Sequence, residues 1–260
     1  MNELKTSSTF DSLGFAKEYM SRFVGTSEEA WFDIEKLEKA RKINNPENGA
    51  TYSRDSDKDA FYVLATDLAR RGCQSVCVAL KVFPNNDFFR IKLVNIYILG
   101  RTEDEKDFAT QVIEQKRLIA QYQPRACVID INGIGISFAD MMIKESTDPK
   151  TGITYPPYGF MNREEYYSLQ PKGCAKILYG IKANGTLNSD MHSMLYSKIY
   201  SGHLKLLISE QQAKNKLIST VKGAKMSPEE QNKRLQPHIL TSILIKEILN
   251  LKIRPTGVNN

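Results

Sequence analysis

The sequence predicts an α/β protein built on a mixed β-sheet, an antiparallel meander continued by parallel strands and flanked by helices. Three observations carry this. Apolar runs at 61–66, 75–83 and 89–99 have strand length, and Asn85-Asn86-Asp87 makes a turn between the last two. A charged, periodic segment from Thr102 to Tyr122, with Thr102 as cap, reads as a helix, followed by strand 126–130 and a helix over 135–146. The resulting β-β-β-α-β-α order gives a sheet that needs helices on its faces to bury them.

The other elements follow from local signals. Residues 1–50 hold two expected helices, roughly 10–23 and 27–43. Ser27 caps the second, with Glu28 and Glu29 in its first turn. Asn44-Asn45-Pro46-Glu47-Asn48-Gly49 then breaks the pattern, so 1–50 is expected as a helical lead-in and 51–260 as the main domain. Asp148 to Gln170, rich in Pro, Gly and Tyr, is expected as a long loop. A strand at 175–181, a helix at 189–200 and a strand or hairpin arm at 203–208 come next. Helices are expected at 210–221, 228–235 and 238–251, with Gln236-Pro237 interrupting the last two.

Composition bounds the function. At 260 residues and 41% apolar the chain can bury one good core, and no apolar run is long enough to span a bilayer. The N-terminus lacks the apolar stretch of a signal peptide. Cys73, Cys77, Cys127 and Cys174 lie on or beside strands without CxxC spacing, which favours reduced core thiols and a cytoplasmic protein over a zinc site or disulfide frame. Residues 172–260 carry 14 Lys/Arg against 5 Asp/Glu, whereas residues 1–171 carry 22 against 25. That asymmetry points to a polyanion on the C-terminal third, set against the plainer reading of a solvated lysine-rich face.

Two aspartates stand out. Asp67 ends the run Phe61-Tyr-Val-Leu-Ala-Thr-Asp67-Leu-Ala-Arg70-Arg71-Gly72, and Asp130 ends Ala126-Cys-Val-Ile-Asp130-Ile-Asn-Gly133-Ile-Gly135. Each closes an apolar strand and precedes a glycine-containing turn. Carboxylates held on rigid backbone at neighbouring strand ends suit hard Mg²⁺ or Mn²⁺. The plainer reading of either one is a turn former or helix cap.

A meander whose first strand carries an aspartate, followed by a helix and a strand ending in a second acid, is the order of the RNase H-like nuclease core. On these residues the chain resembles the nuclease domain of phage large terminases. The likeness extends to an N-terminal segment with Phe10, Glu18-Tyr19-Met-Ser21 and Trp31-Phe32, which is similar to the linker preceding that domain. It continues through Asn188-Ser-Asp-Met-His192, Glu210-Gln-Gln-Ala213-Lys214 and the closing Thr241 to Leu251. The resemblance implies an endonuclease that trims concatemeric phage DNA during packaging, in the cytoplasm of the infected bacterial host. Its implied partners are double-stranded DNA, an ATPase motor half, a small terminase subunit and a portal. No GxxxxGK[ST] occurs, so ATP hydrolysis is not expected of this chain, which is read as an isolated nuclease half or a split gene product.

The expected chemistry is two-metal phosphodiester hydrolysis, with Asp67 bridging the ions and Asp130 completing one shell. Gly133 and Gly135 are expected to leave room for a phosphate at the following helix N-terminus. The resemblance places a third ligand at the start of the last helix, where this chain has Gln236-Pro237-His238 and no carboxylate. His238, Asp190 (beside His192) and Glu247 are the candidates. Nine residues at about 100° each put His238 and Glu247 about 180° apart, so both can serve one site only if the helix begins after His238. Asn188, Ser189 and Asp190 also make an ordinary N-cap cluster. Arg70 and Arg71 are expected to grip phosphate, as are Lys205, Lys214, Lys216, Lys222, Lys225, Lys233 and Arg234, with 222–225 as a flexible finger. Alternatives are another RNase H-like cutter such as a resolvase or transposase core, or a non-catalytic DNA-binding module with a decayed site.

Overall fold

A computed structural model describes residues 31–52, 57–69, 74–85, 88–101 and 107–251. The expected helix at 10–23, the Ser27 and Thr102 caps, the turn at 86–87, Arg70, Arg71 and Cys73 lie outside the described residues.

Alternation of small and branched apolar residues builds the central strands: β2 (Phe61–Asp67), β3 (Ser75–Asn85) and β4 (Phe88–Leu99) form the expected meander. Helix α2 (Phe108–Tyr122) begins at Asp107, whose side chain accepts from Thr110 N, and leads to β5 (Ala126–Asp130), parallel to β2. Helix α3 (Gly135–Met142) then crosses back, and β9 (Ala175–Ile181) adds in parallel beside β5. These five strands stand in the order β4-β3-β2-β5-β9 with only β3 antiparallel, the arrangement expected of an RNase H-like core.

The sheet is wider than the sequence suggests. Helix α1 (Ile34–Ala40), capped by Asp33, runs into β1 (Arg41–Ile43), the edge strand beside β10 (Leu204–Leu207). The segment expected as a helical lead-in thus contributes a helix and a strand to the same sheet. β10 pairs parallel with β4, so it is not a hairpin arm. The expected loop 148–170 contains most of the hairpin β6 (Ser146–Thr147) and β7 (Thr154–Tyr155), and β8 (Tyr158–Phe160), which closes the other sheet edge. Two- and three-residue strands carry too little periodicity to be legible beforehand.

Two cores flank the sheet. On one face Tyr62, Leu64, Cys127 and Ile129 pack under α2 and α3. On the other, Leu93, Ile96, Leu204 and Leu206 pack under α1, α4 (Gly185–Tyr200) and α7 (Pro228–Leu249). This second cover is concentrated on β4 and β10. Val63, Ala65 and Val128 on the same face remain half-buried, which leaves the carboxyl ends of β2 and β5 accessible.

Candidate metal centre and its surroundings

The register sets the two aspartates together. β2 and β5 run parallel with Val63 opposite Ala126 and Thr66 opposite Ile129, so Asp67 and Asp130 occupy the next step of adjacent strands. Strand spacing separates their backbones by about 4.8 Å. Side-chain alternation puts both on one face: Thr66 and Ile129 are buried in the first core, and Asp67 stands opposite Val76, which packs against the second.

Their surroundings fix them. After Asp67 the chain is held by Ser75 on β3, whose Oγ accepts from Ala69 N at 2.8 Å and stands 2.7 Å from Gln111 Oε1. Beneath the site, Thr66 Oγ1 donates to Gln115 Oε1 at 2.8 Å. Asp130 Oδ1 accepts from Asn132 N at 2.9 Å, and Asn132 Nδ2 donates to Ala183 O at 3.0 Å, tying the turn to the start of α4. Among the described residues Oδ2 has no hydrogen-bond donor, which would leave it for a cation. A Cβ on Gly135 would lie 2.1 Å from Asp130 O, so this glycine permits the tight return of the chain, while Gly133 supplies φ +52°. Gly135 N already donates to Asn132 O and Ile136 N to Gly133 O. These glycines therefore shape the turn around Asp130, and the first helical N–H groups are engaged within it.

Two facing carboxylates repel one another unless a cation lies between them, and their oxygens match the preference of Mg²⁺ or Mn²⁺ for hard donors. The pair fits such an ion as a partial shell that water and substrate oxygens would complete. Among the described residues, no group of three or more His, Cys, Asp or Glu side chains is placed to hold a metal.

The three candidates for a further ligand sit elsewhere. α7 is one helix through Pro237, with its start at the Ser227 cap, so His238 lies in its interior and the nine-residue argument applies. His238 is buried. Its Nδ1 lies 2.9 Å from Ile208 O, one residue past β10 and thus three strands, about 14 Å, from β2. Burial lowers its pKa, so it is held as the neutral imidazole in the core. Glu247 is exposed on the opposite side of α7. Helix α4 begins at Gly185 with Asn184 as cap, so Asp190 is in its second turn, exposed, and His192 packs edge-on against Trp31 at 5.8 Å.

The basic residues also separate. Lys205 is level with Lys92, Lys81 and Tyr62, five residues before Asp67 and about 17 Å away along the strand direction. Lys216, Lys222, Lys225, Lys233 and Arg234 line a cleft together with Arg101, a residue that sequence reading did not assign to DNA contact. Lys214 is exposed on α5 (Glu210–Ile218), outside the cleft lining. The expected finger 222–225 is instead largely a one-turn helix, α6 (Val221–Ala224), in which a Gly223 Cβ would meet Leu217 O at 1.9 Å. Asn132 follows Asp130 by two, a spacing at which a backbone N–H returns to an aspartate, a signal that sequence reading did not use.

No family model and no curated protein matches the chain. Among solved structures, the large terminase nuclease from thermophilic phage G20c with bound magnesium is similar at TM-score 0.42 and 13% identity, over 72% of this chain and 78% of that one. Its cobalt-bound form gives 0.41 and 13%, over 71% and 77%. The terminase nuclease domain of human cytomegalovirus, manganese-soaked and inhibitor-bound, gives 0.38 and 12%, over 84% and 94%. No helix among the described residues is long and apolar enough to cross a membrane.

Proposed function

We propose that this chain is a divalent-metal-dependent endonuclease that hydrolyses phosphodiester bonds of double-stranded DNA, with Asp67 and Asp130 as its central metal ligands. The observation that supports it best is the side-by-side placement of these carboxylates on one face, at the carboxyl ends of adjacent parallel strands in an RNase H-like strand order. The sequence resemblance to terminase nucleases makes concatemeric phage DNA the substrate and genome packaging the setting. An ATPase half, a small terminase, a portal and the bacterial cytoplasm enter on the same ground.

Bound Mg²⁺ or Mn²⁺ would supply an activated water and charge stabilisation on the phosphate oxygens. The protein's part is positional. Asp67 and Asp130 would hold the cations, Asn132 N keeps Asp130 Oδ1 in place, and the accessible second face would admit the DNA backbone. In the overall reaction a water oxygen bonds to phosphorus, the P–O3′ bond breaks, and the 3′ oxygen leaves with a proton.

A second reading, a DNA-binding module without catalysis, is favoured by one observation: no third acid joins the pair among the described residues. Plasmid cleavage separates the two. Nicking in Mg²⁺ or Mn²⁺ that stops in EDTA and falls at least 100-fold in Asp67→Asn is the expected result. Intact plasmid in every metal, alongside salt-sensitive DNA binding, would establish the second.

A further inference from the structure

Between the strap Asn44–Asn48 and helices α5 to α7 lies a cleft of about 1200 Å³. Its lining carries six cations, Arg101, Lys216, Lys222, Lys225, Lys233 and Arg234, and one acid, Glu230. The Glu230 carboxylate is occupied at the helix cap, accepting from Ser227 N at 3.0 Å. Lys216 Nζ donates to Asn44 Oδ1 at 2.6 Å, linking the walls. Among the described residues the other five cations make no ion pair. A concave wall that gathers six cations against one acid focuses potential toward a polyanion. Arg forks, ammonium groups and the amides of Asn45 and Asn48 are the donors that phosphate oxygens accept.

The cleft shares an end of the sheet with the aspartates. Asp67, Val76 and Ile98 stand in one register row, so β4 is two strands, about 10 Å, from Asp67. Arg101 follows three residues after Ile98, and Ile96, in the cleft lining, packs on the same face that Asp67 occupies. Among the lining's apolar members, Leu217 and Leu235 pack in a cluster with Ile208 and Ala213, and Ile96 in the second core, which leaves these side chains little surface for a peptide.

We propose that this cleft is a non-catalytic anchoring site for the phosphodiester backbone of duplex DNA, holding the stretch that flanks the cut. The flank assignment rests on the nuclease reading above; the binding does not. The nearest lining, on β4, is thus offset by about three base pairs at 3.4 Å of rise, so a duplex must extend at least that far beyond the cut on one side to reach the anchor.

The test is fluorescence anisotropy of a 30-base-pair duplex in EDTA across a salt series. Wild type is compared with the exposed triple variant Lys222→Glu/Lys225→Glu/Arg234→Glu, its fold checked by circular dichroism. The expected result is a Kd at least tenfold weaker and a log Kd against log salt slope reduced by about two to three, as for three lost phosphate contacts. Unchanged Kd and slope would overturn the proposal, whatever the plasmid assay shows. Binding of poly-glutamate that the variant abolishes, with duplex affinity intact, would overturn it in favour of an acidic protein partner. If wild type never cuts yet the variant loses DNA, the anchor stands and the nuclease reading falls.

Discussion

Asp130 owes its orientation to two neighbours: Asn132, through its backbone N–H, and Gly135, by the absence of a side chain. Gly135→Ala forces a methyl against Asp130 O, and such overpacking costs about 1–3 kcal/mol. Because the displaced atom belongs to the proposed metal ligand, cleavage should fall by more than the stability loss accounts for. Gly133→Ala is the control: its Cβ meets nothing within 4 Å, so it bears only the left-handed strain of about 1–2 kcal/mol. Parallel thermal melts and cleavage rates separate them, and equal activity at equal stability would remove Gly135 from the positioning role. Asp67 and Asp130 were legible in the sequence because each ends an apolar strand. The setting of His238 was not, because it depends on a carbonyl 30 residues away at Ile208 and on a helix that runs through Pro237.

At the scale of elements, short strands and a proline set the limits of sequence reading. Proline removes one helical hydrogen bond and usually kinks or breaks a helix. α7 persists through it because Leu235, His238 and Thr241 are buried beneath, so tertiary packing outweighs local propensity. The strap after β1 is held by a contact equally invisible to pattern. Lys81, 1% exposed, meets Asp57 at 3.0 Å and Glu47 at 3.7 Å, amid the rings of Tyr52, Tyr62 and Phe83. Lys81→Met removes the cation facing a buried carboxylate and should cost about 3–5 kcal/mol. Adding Asp57→Asn should recover part of it, measurable as a coupling energy in a urea-denaturation double-mutant cycle. Additive losses would show that Lys81 and Asp57 do not act as a coupled pair. That strap is also one wall of the basic cleft, so its loosening should raise Kd for DNA.

Across the whole molecule, seven strands of the sheet run one way and β3 runs against them, so the chain's acidic pair and its basic cleft collect at one end. The meander, the strand order and the charge asymmetry were readable from sequence; the pairing of β1, β8 and β10 was not, since sheet edges are chosen by long-range contacts. The core also makes stability depend on pH. Burial pushes the Cys77 thiol up to about 11 and raises Cys127 well above its ordinary value. A folded-state pKa above the unfolded one contributes stability that is present below about pH 9 and lost as pH rises toward 11. Lys116, pushed down to about 8 by burial, acts oppositely over pH 8 to 10.5. Cys77→Ala isolates the thiol: its stability deficit relative to wild type should shrink by about 2 kcal/mol between pH 8 and 11 in reducing urea titrations. A pH-independent deficit would contradict a buried neutral thiol. Metal at the strand ends is the central requirement of the proposed activity, and a manganese-soaked crystal tests it most directly. An anomalous difference peak within coordination distance of both Asp67 and Asp130 is the predicted result; a map with manganese elsewhere and none between these two carboxylates would contradict it.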